Sequence, residues 1–359
     1  MLNNIEQHSP TIQHDSSRVI GSIYSRQYFS ETCFVKKVYK LTKILKECSS
    51  HFSLDELSNS NKVNAPSTKL ELSANEKLSS LFNFNNTLSA TKITKNIGIS
   101  HYLLFQSLKR LSSIALAIKE NKETSVLVNQ YSDIELLTMK PKKVISLCNE
   151  LISGGQFNDI LMSSFNHKFK AYYQTGKVLV SRAKYQYWVK IFSSHGLPKE
   201  NIIPISIKTT QDIEHLKRQL ITLYENKTPV LAVIPMLSLK DETIDSISAL
   251  IRLRHFCEAV FKSSFYIHVD GTNSGYNKYY FTDEDNELIH QEYLSDLFDS
   301  NTNFDKENDT KNLNYNSRFQ SLSGVDSITL EQPKNGAFQQ DFGALVIKDN
   351  TFNGILYQS

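Results

Sequence analysis

The chain reads as an α/β protein built on a mainly parallel sheet flanked by helices. From residue 176 onward, short β-branched runs alternate with longer segments of helical period: KVLVS, AKYQYWVKIFSSHG, NIIPISI, TQDIEHLKRQLITLYEN, PVLAVIP, ETIDSISALIRLRHFCEAVFK and FYIHVD. Apolar runs with helix-period segments between them are the mark of βαβ units, in which the sheet is covered on both faces. Hydrophobic residues make up 40% of 359, enough for one large α/β domain with added pieces or for two small domains.

The elements follow in order. Residues 1–30 are a polar arm. Residues 34–46 carry Val35, Val38, Leu41, Ile44 and Leu45 at helical spacing, with lysines between, and predict an amphipathic helix. Ser49 to Asn75 is rich in Ser, Asn and Lys and reads as linker or loop. The segment YLLFQSLKRLSSIALAIK, residues 102–119, predicts an apolar helix buried over much of its surface. Residues 133–151 predict another, with Pro141 in its first half. After FYIHVD comes an acidic, Asn-rich excursion over 282–320, then two further strands in VDSITLEQ and FGALVIKD. These boundaries predict an N-terminal arm over 1–50, a divergent linker over 51–95 and the α/β domain over 96–359. No C-terminal domain is visible beyond the last strand.

Charge and cysteine usage exclude several function classes. Lys+Arg 40 against Asp+Glu 37 leaves a net +3 without a dense basic stripe, which argues against nucleic acid as the partner. No apolar run approaches the roughly 18 residues of a membrane span. The polar residues 1–17 lack the apolar core of a signal peptide, so a cytoplasmic protein is expected. Cys33, Cys48, Cys148 and Cys257 form no CxxC pair and read as reduced packing residues. No HExxH or His/Cys cluster has metal-ligand spacing, so no metal is expected. Glycine is scarce, 12 in 359 residues, about 3% where about 7% is usual. A fold that cradles phosphate on backbone N–H groups needs glycine at several turns, so some such turns would have to be altered here.

In parallel sheets ligands bind at the carboxyl ends of strands. Asp270 stands at such an end after FYIHV, and Lys334 follows the strand DSITL after a short turn. An Asp and a Lys at neighbouring strand ends serve either as a structural salt bridge or as a pyridoxal phosphate site. Other conspicuous residues have plainer readings. SGGQFND, residues 153–159, is a helix stop and loop. His268 is a satisfied strand histidine, and Trp188 is a core residue on a helix.

The segments FYIHVDGTNSGYNKYYFTDEDNELI and DSITLEQPKNGAFQQDFGALVIKDNTF resemble the group II pyridoxal-phosphate-dependent amino-acid decarboxylases, and within them the bacterial tyrosine decarboxylases. The likeness extends through PVLAVIP, KYQYWVKIFSSHGLPKENIIPISI and SDIELLTMKPKKVISL, and covers most of residues 96–359. It implies the fold-type I large domain and pyridoxal 5'-phosphate as cofactor. It also implies a Schiff base on Lys334 and Asp270 on the pyridinium nitrogen. Gly98 and Ser100 are then the remnant of the phosphate-binding turn, Tyr185 the residue stacked on the ring, and Thr272 the residue packed beneath it, with Gly336 nearby. The departures are specific. Pro333 stands where the family has His, and Glu331-Gln332 where it has Asp-Pro. Tyr185 replaces the stacking His and Thr272 a small Ala, while Ser238 to Asp241 replace a Gly-Thr-Thr-Glu turn. An aromatic-rich substrate segment is missing between about residues 53 and 72, as is the family's C-terminal domain.

The resemblance leaves two readings of function. One is decarboxylation of an aromatic, tyrosine-like L-amino acid. The other is a catalytically impaired paralogue acting as a subunit or scaffold. Family precedent also implies a homodimer or pairing with a related subunit.

Overall fold

The structure is a computed structural model and describes residues 40–41, 43–45, 69–85, 88–164, 175–237, 246–272, 275, 321–331 and 342–349. Lys334 and Gly336 lie outside these residues, as do Pro333, residues 238–241 and most of residues 1–68.

A seven-stranded sheet runs in the order β1-β7-β6-β5-β4-β2-β3. Its strands are β1 (Ala90–Thr94), β2 (Lys177–Ser181), β3 (Ile202–Ile205), β4 (Val230–Ile234), β5 (Tyr266–Asp270), β6 (Ser327–Glu331) and β7 (Gly343–Ile347). The strands from β3 to β6 pair in parallel, while β7 lies antiparallel between β6 and β1. The mixed, mainly parallel sheet expected from the alternation is therefore present.

Eight helices cover it among the described residues: α1 (Lys69–Leu81), α2 (Ile97–Glu120), α3 (Asp133–Leu137), α4 (Pro141–Ser153), α5 (Phe157–Ser163), α6 (Tyr185–Ser194), α7 (Thr210–Glu225) and α8 (Ile247–Phe261). Strand side chains alternate between faces, and this splits the core into two layers. Leu179, Ile267, Val269, Ile328, Leu330 and Val346 pack with α1, α7 and α8. Val178, Val180, Tyr266, Leu345 and Ile347 pack with α2, α4, α5 and α6. His268 and Asp270 share the Tyr266 face by the same alternation and so point toward α2 and α6.

Two readings of local structure change. The helix expected over 133–151 is two helices, because Pro141 opens α4 at its first position, where its missing N–H costs nothing. A Ser132–Glu135 capping box starts the short α3. The linker expected over Ser49–Asn75 is already helical from Lys69, and Ala74, Leu78 and Leu81 enter the main core. Composition misleads here because a few apolar residues carry the packing of α1, and its buried Ser79 is satisfied by the Ser89 hydroxyl at 2.6 Å. Of the helix expected over 34–46, only residues 40–41 and 43–45 are described, and Leu41 and Leu45 are buried in the same layer. As expected, Gly154 and Gly155 stop α4, and Gly155 adopts φ +73°.

Candidate active site

Parallel pairing brings the carboxyl ends of β2, β4, β5 and β6 to one side of the sheet. Strand β1, antiparallel to β7, ends there too, so α2 begins at the same rim. Gly343 makes that junction possible: a Cβ on it would lie 2.8 Å from the backbone of Asn96 and Ile97. Gly271 plays a similar part, since its Cβ would meet the Thr329 carbonyl at 2.8 Å, while its N–H donates to that oxygen at 2.9 Å.

Asp270 closes β5 at this rim and is 1% exposed. Its Oδ1 accepts from the Thr272 hydroxyl at 2.6 Å and from the Thr272 N–H at 3.2 Å. The Lys184 ammonium lies 3.5 Å from the same oxygen and also donates to the Thr272 hydroxyl. Oδ2 has no hydrogen-bond partner among the described residues. Burial alone pushes the Asp270 carboxyl up, but the Lys184 charge and the two Thr272 bonds outweigh it, and the net shift is down. Asp270 is thus an ionised carboxylate, with Oδ1 saturated and Oδ2 without a partner among the described residues.

Beneath Asp270 runs a buried polar row. Tyr187 Oη lies 2.6 Å from His101 Nδ1, and His101 Nε2 lies 3.0 Å from Thr329 Oγ1. Thr329 Oγ1 continues to His268 Nε2 at 3.1 Å, and His268 Nδ1 to Ser327 Oγ at 2.7 Å. Alternation on β6 puts Ser327 and Thr329 on one face, opposite His268 and Asp270 in register. Burial pushes His101 down to about 4 and His268 down to about 3, so both imidazoles are neutral at pH 7. Burial, with Asp270 nearby, pushes the Tyr187 hydroxyl up, so it stays protonated.

The residues singled out from sequence fall as follows. Asp270 and Thr272 are in direct contact. Ser100 is buried on α2, where its hydroxyl lies 2.8 Å from that of Thr94. Gly98 sits inside the first turn of α2 rather than in a turn before it, and the Asn96 side chain caps that turn by accepting from the Ile99 N–H at 3.0 Å. Tyr185 opens α6 and packs partly buried against the apolar layer. Its neighbours Lys184 and Tyr187 supply the polar contacts to this site. His268 is the satisfied strand histidine expected, and Trp188 is fully buried.

Sequence reading passed over Lys184, Tyr187, His101 and Thr329. The strand-end rule that singled out Asp270 also reaches Lys184, three residues past β2. Nothing in the sequence marks His101, whose role depends on α2 crossing β6.

No family model matches the chain. It is 28% identical to the L-tyrosine decarboxylase of Enterococcus faecalis over 246 residues, 67% of this chain and 38% of that protein. The L-tyrosine decarboxylase of Levilactobacillus brevis is also 28% identical, over 247 residues. The chain is thus similar to L-tyrosine decarboxylases over two thirds of its own length. It spans about two-fifths of the length of these curated relatives. Among solved structures, the glutamate decarboxylase domain of a two-part Vibrio parahaemolyticus protein, diaminobutyrate-pyruvate transaminase and L-2,4-diaminobutyrate decarboxylase, superposes with TM-score 0.47. The identity is 13%, over 89% of this chain and 51% of that one. Oryza sativa TDC with PLP and tryptamine superposes with TM-score 0.45, covering 79% of this chain and 43% of that one. The sheet with a helical layer on each face is the α/β architecture that the sequence predicts. No helix among the described residues is long and apolar enough to cross a membrane.

Proposed function

We propose that the site at Asp270 binds pyridoxal phosphate and serves decarboxylation of an L-amino acid, aromatic and tyrosine-like as in the curated relatives. The observation that carries this reading is Asp270 Oδ2, an ionised, buried carboxylate oxygen without a partner among the described residues. Such an atom is costly unless a donor arrives, and a protonated ring nitrogen is a donor of the right kind. When bound, the cofactor supplies an electron sink for the pair released as the Cα–carboxylate bond breaks. Asp270 would hold the ring-nitrogen proton on Oδ2. Thr272 fixes the carboxylate's rotation by occupying Oδ1 twice. Lys334 would anchor the cofactor through its amine; the chain leaves β6 at Glu331 on the Asp270 rim and reaches Lys334 three residues later. The neutral Tyr187–His101 pair lines the same rim and keeps a hydroxyl proton available there.

A second reading, a non-catalytic subunit or scaffold that pairs with another chain, draws on Asn96. Its side chain takes the Ile99 N–H at the α2 terminus, next to the expected phosphate position of Gly98 and Ser100. A phosphate there would lose one backbone donor of the kind that helix N-termini offer. Cofactor titration separates the two. Purified protein with pyridoxal phosphate is expected to develop a visible absorption band that Lys334→Ala abolishes, and to release tyramine from tyrosine. A band without amine product favours the scaffold. No band even at roughly millimolar cofactor, far above the affinity that several charge-assisted hydrogen bonds provide, refutes the decarboxylase reading.

A further inference from the structure

We propose that Lys184 is a built-in counter-cation for Asp270 and sets the site against a protonated ring nitrogen, making it a specificity-determining residue for cofactor loading. The inference rests on the decarboxylase reading of this site.

The Lys184 ammonium reaches Asp270 Oδ1 at 3.5 Å and is bridged to it by the Thr272 hydroxyl. Lys184 is held there by its place in the chain. The 3-10 turn Arg182–Lys184 joins the end of β2 directly to α6, so the side chain leaves the sheet at the rim where β5 ends. Its side chain is 21% exposed while that of Asp270 is 1% exposed, so solvent screens the pair little on the carboxylate side. With both histidines beneath neutral, carboxylate and ammonium already balance.

Among the described residues Oδ2 nevertheless has no donor. A neutral donor meets no penalty there, but a cationic ring nitrogen brings a second positive charge close to the first. Like charges within ~4–6 Å shift such equilibria by about one to three pK units. The site therefore offers geometry for the ring nitrogen while opposing its charge. The Lys184 charge has to move toward solvent, or be removed, before a protonated ring binds at full strength.

The test uses the whole chain, with K184M, K184Q and K184R. Two quantities are measured: the melting temperature without cofactor, and the dissociation constant for pyridoxal phosphate by equilibrium dialysis. Losing Lys184 leaves Asp270 as an unbalanced buried charge, so K184M and K184Q are expected to melt lower. They are also expected to bind pyridoxal phosphate at least about tenfold tighter, while K184R matches wild type on both. A purely structural lysine would not give opposite signs for stability and affinity. Equal or weaker binding by both neutral variants overturns the inference while leaving the decarboxylase reading intact. Absence of binding in wild type and all variants refutes the decarboxylase reading, and the inference with it.

Discussion

Thr329 is where two buried histidines meet, and it can donate only one proton. His101 Nε2 and His268 Nε2 approach the same hydroxyl at 3.0 and 3.1 Å, so at most one imidazole accepts its proton and at least one donates to its oxygen. With both rings neutral, a ring that donates from Nε2 to Thr329 presents Nδ1 as an acceptor, to Tyr187 in the case of His101 and to Ser327 in the case of His268. Thr329→Val interrupts the row and strands a ring nitrogen on each side. We expect it to cost about 2–4 kcal/mol, read from urea unfolding, whereas Thr329→Ser should cost under about half of that. The histidines also set a pH dependence. Their folded pKa values lie below the ordinary 6.5, at about 4 and about 3, so the unfolded chain binds protons first. Their contribution is complete above about pH 6.5 and is lost as the pH falls toward 4 and then 3, about 3 kcal/mol for His101 and about 5 kcal/mol for His268. Melting curves between pH 7 and pH 4 should show this fall, and His268→Gln should flatten it by one proton.

At the level of elements, junctions decide more than propensities. The α2 entry lies on β7 because Gly343 has no side chain, and Gly343→Ala would force Asn96 and Ile97 away from 2.8 Å contacts. We expect a loss of about 1–3 kcal/mol and a displaced first turn of α2, visible as faster amide exchange at Ile99. Periodicity made β2 to β7 and most of α2, α6, α7 and α8 legible, because each buries one face or both. It failed at α1 and at Pro141, where a few buried leucines or one proline outweigh a segment's average composition. Asp270 was legible as a strand end. His101 and Thr329 were not, because a polar residue in an apolar helix or strand looks like noise until the crossing partner is known. Lys184 falls under the same strand-end rule, whereas the resemblance points to Tyr185, one residue further on.

Across the whole molecule, β5, β6 and α8 are tied by one mostly buried ion pair. Arg254 Nη1 meets Asp326 Oδ2 at 2.6 Å, and the same oxygen accepts the Ile267 N–H at 2.7 Å. Arg254→Ala leaves Asp326 uncompensated and should cost about 3–5 kcal/mol; chemical denaturation would read it, and a change under 1 kcal/mol would show the pair to be incidental. The sheet order has a further consequence, for the timing of folding. Thr94 on β1 hydrogen-bonds to Gly343 on β7 across 249 positions of sequence, and β7 is the strand inserted between β1 and β6. During synthesis β1 waits, with this edge unpaired, until β7 leaves the ribosome. Contacts of that span are slow to form, and unpaired edges invite other chains. The nascent protein is therefore expected to lean on chaperones late, and a release–capture experiment should find β1 protease-sensitive until residues 343–347 have emerged.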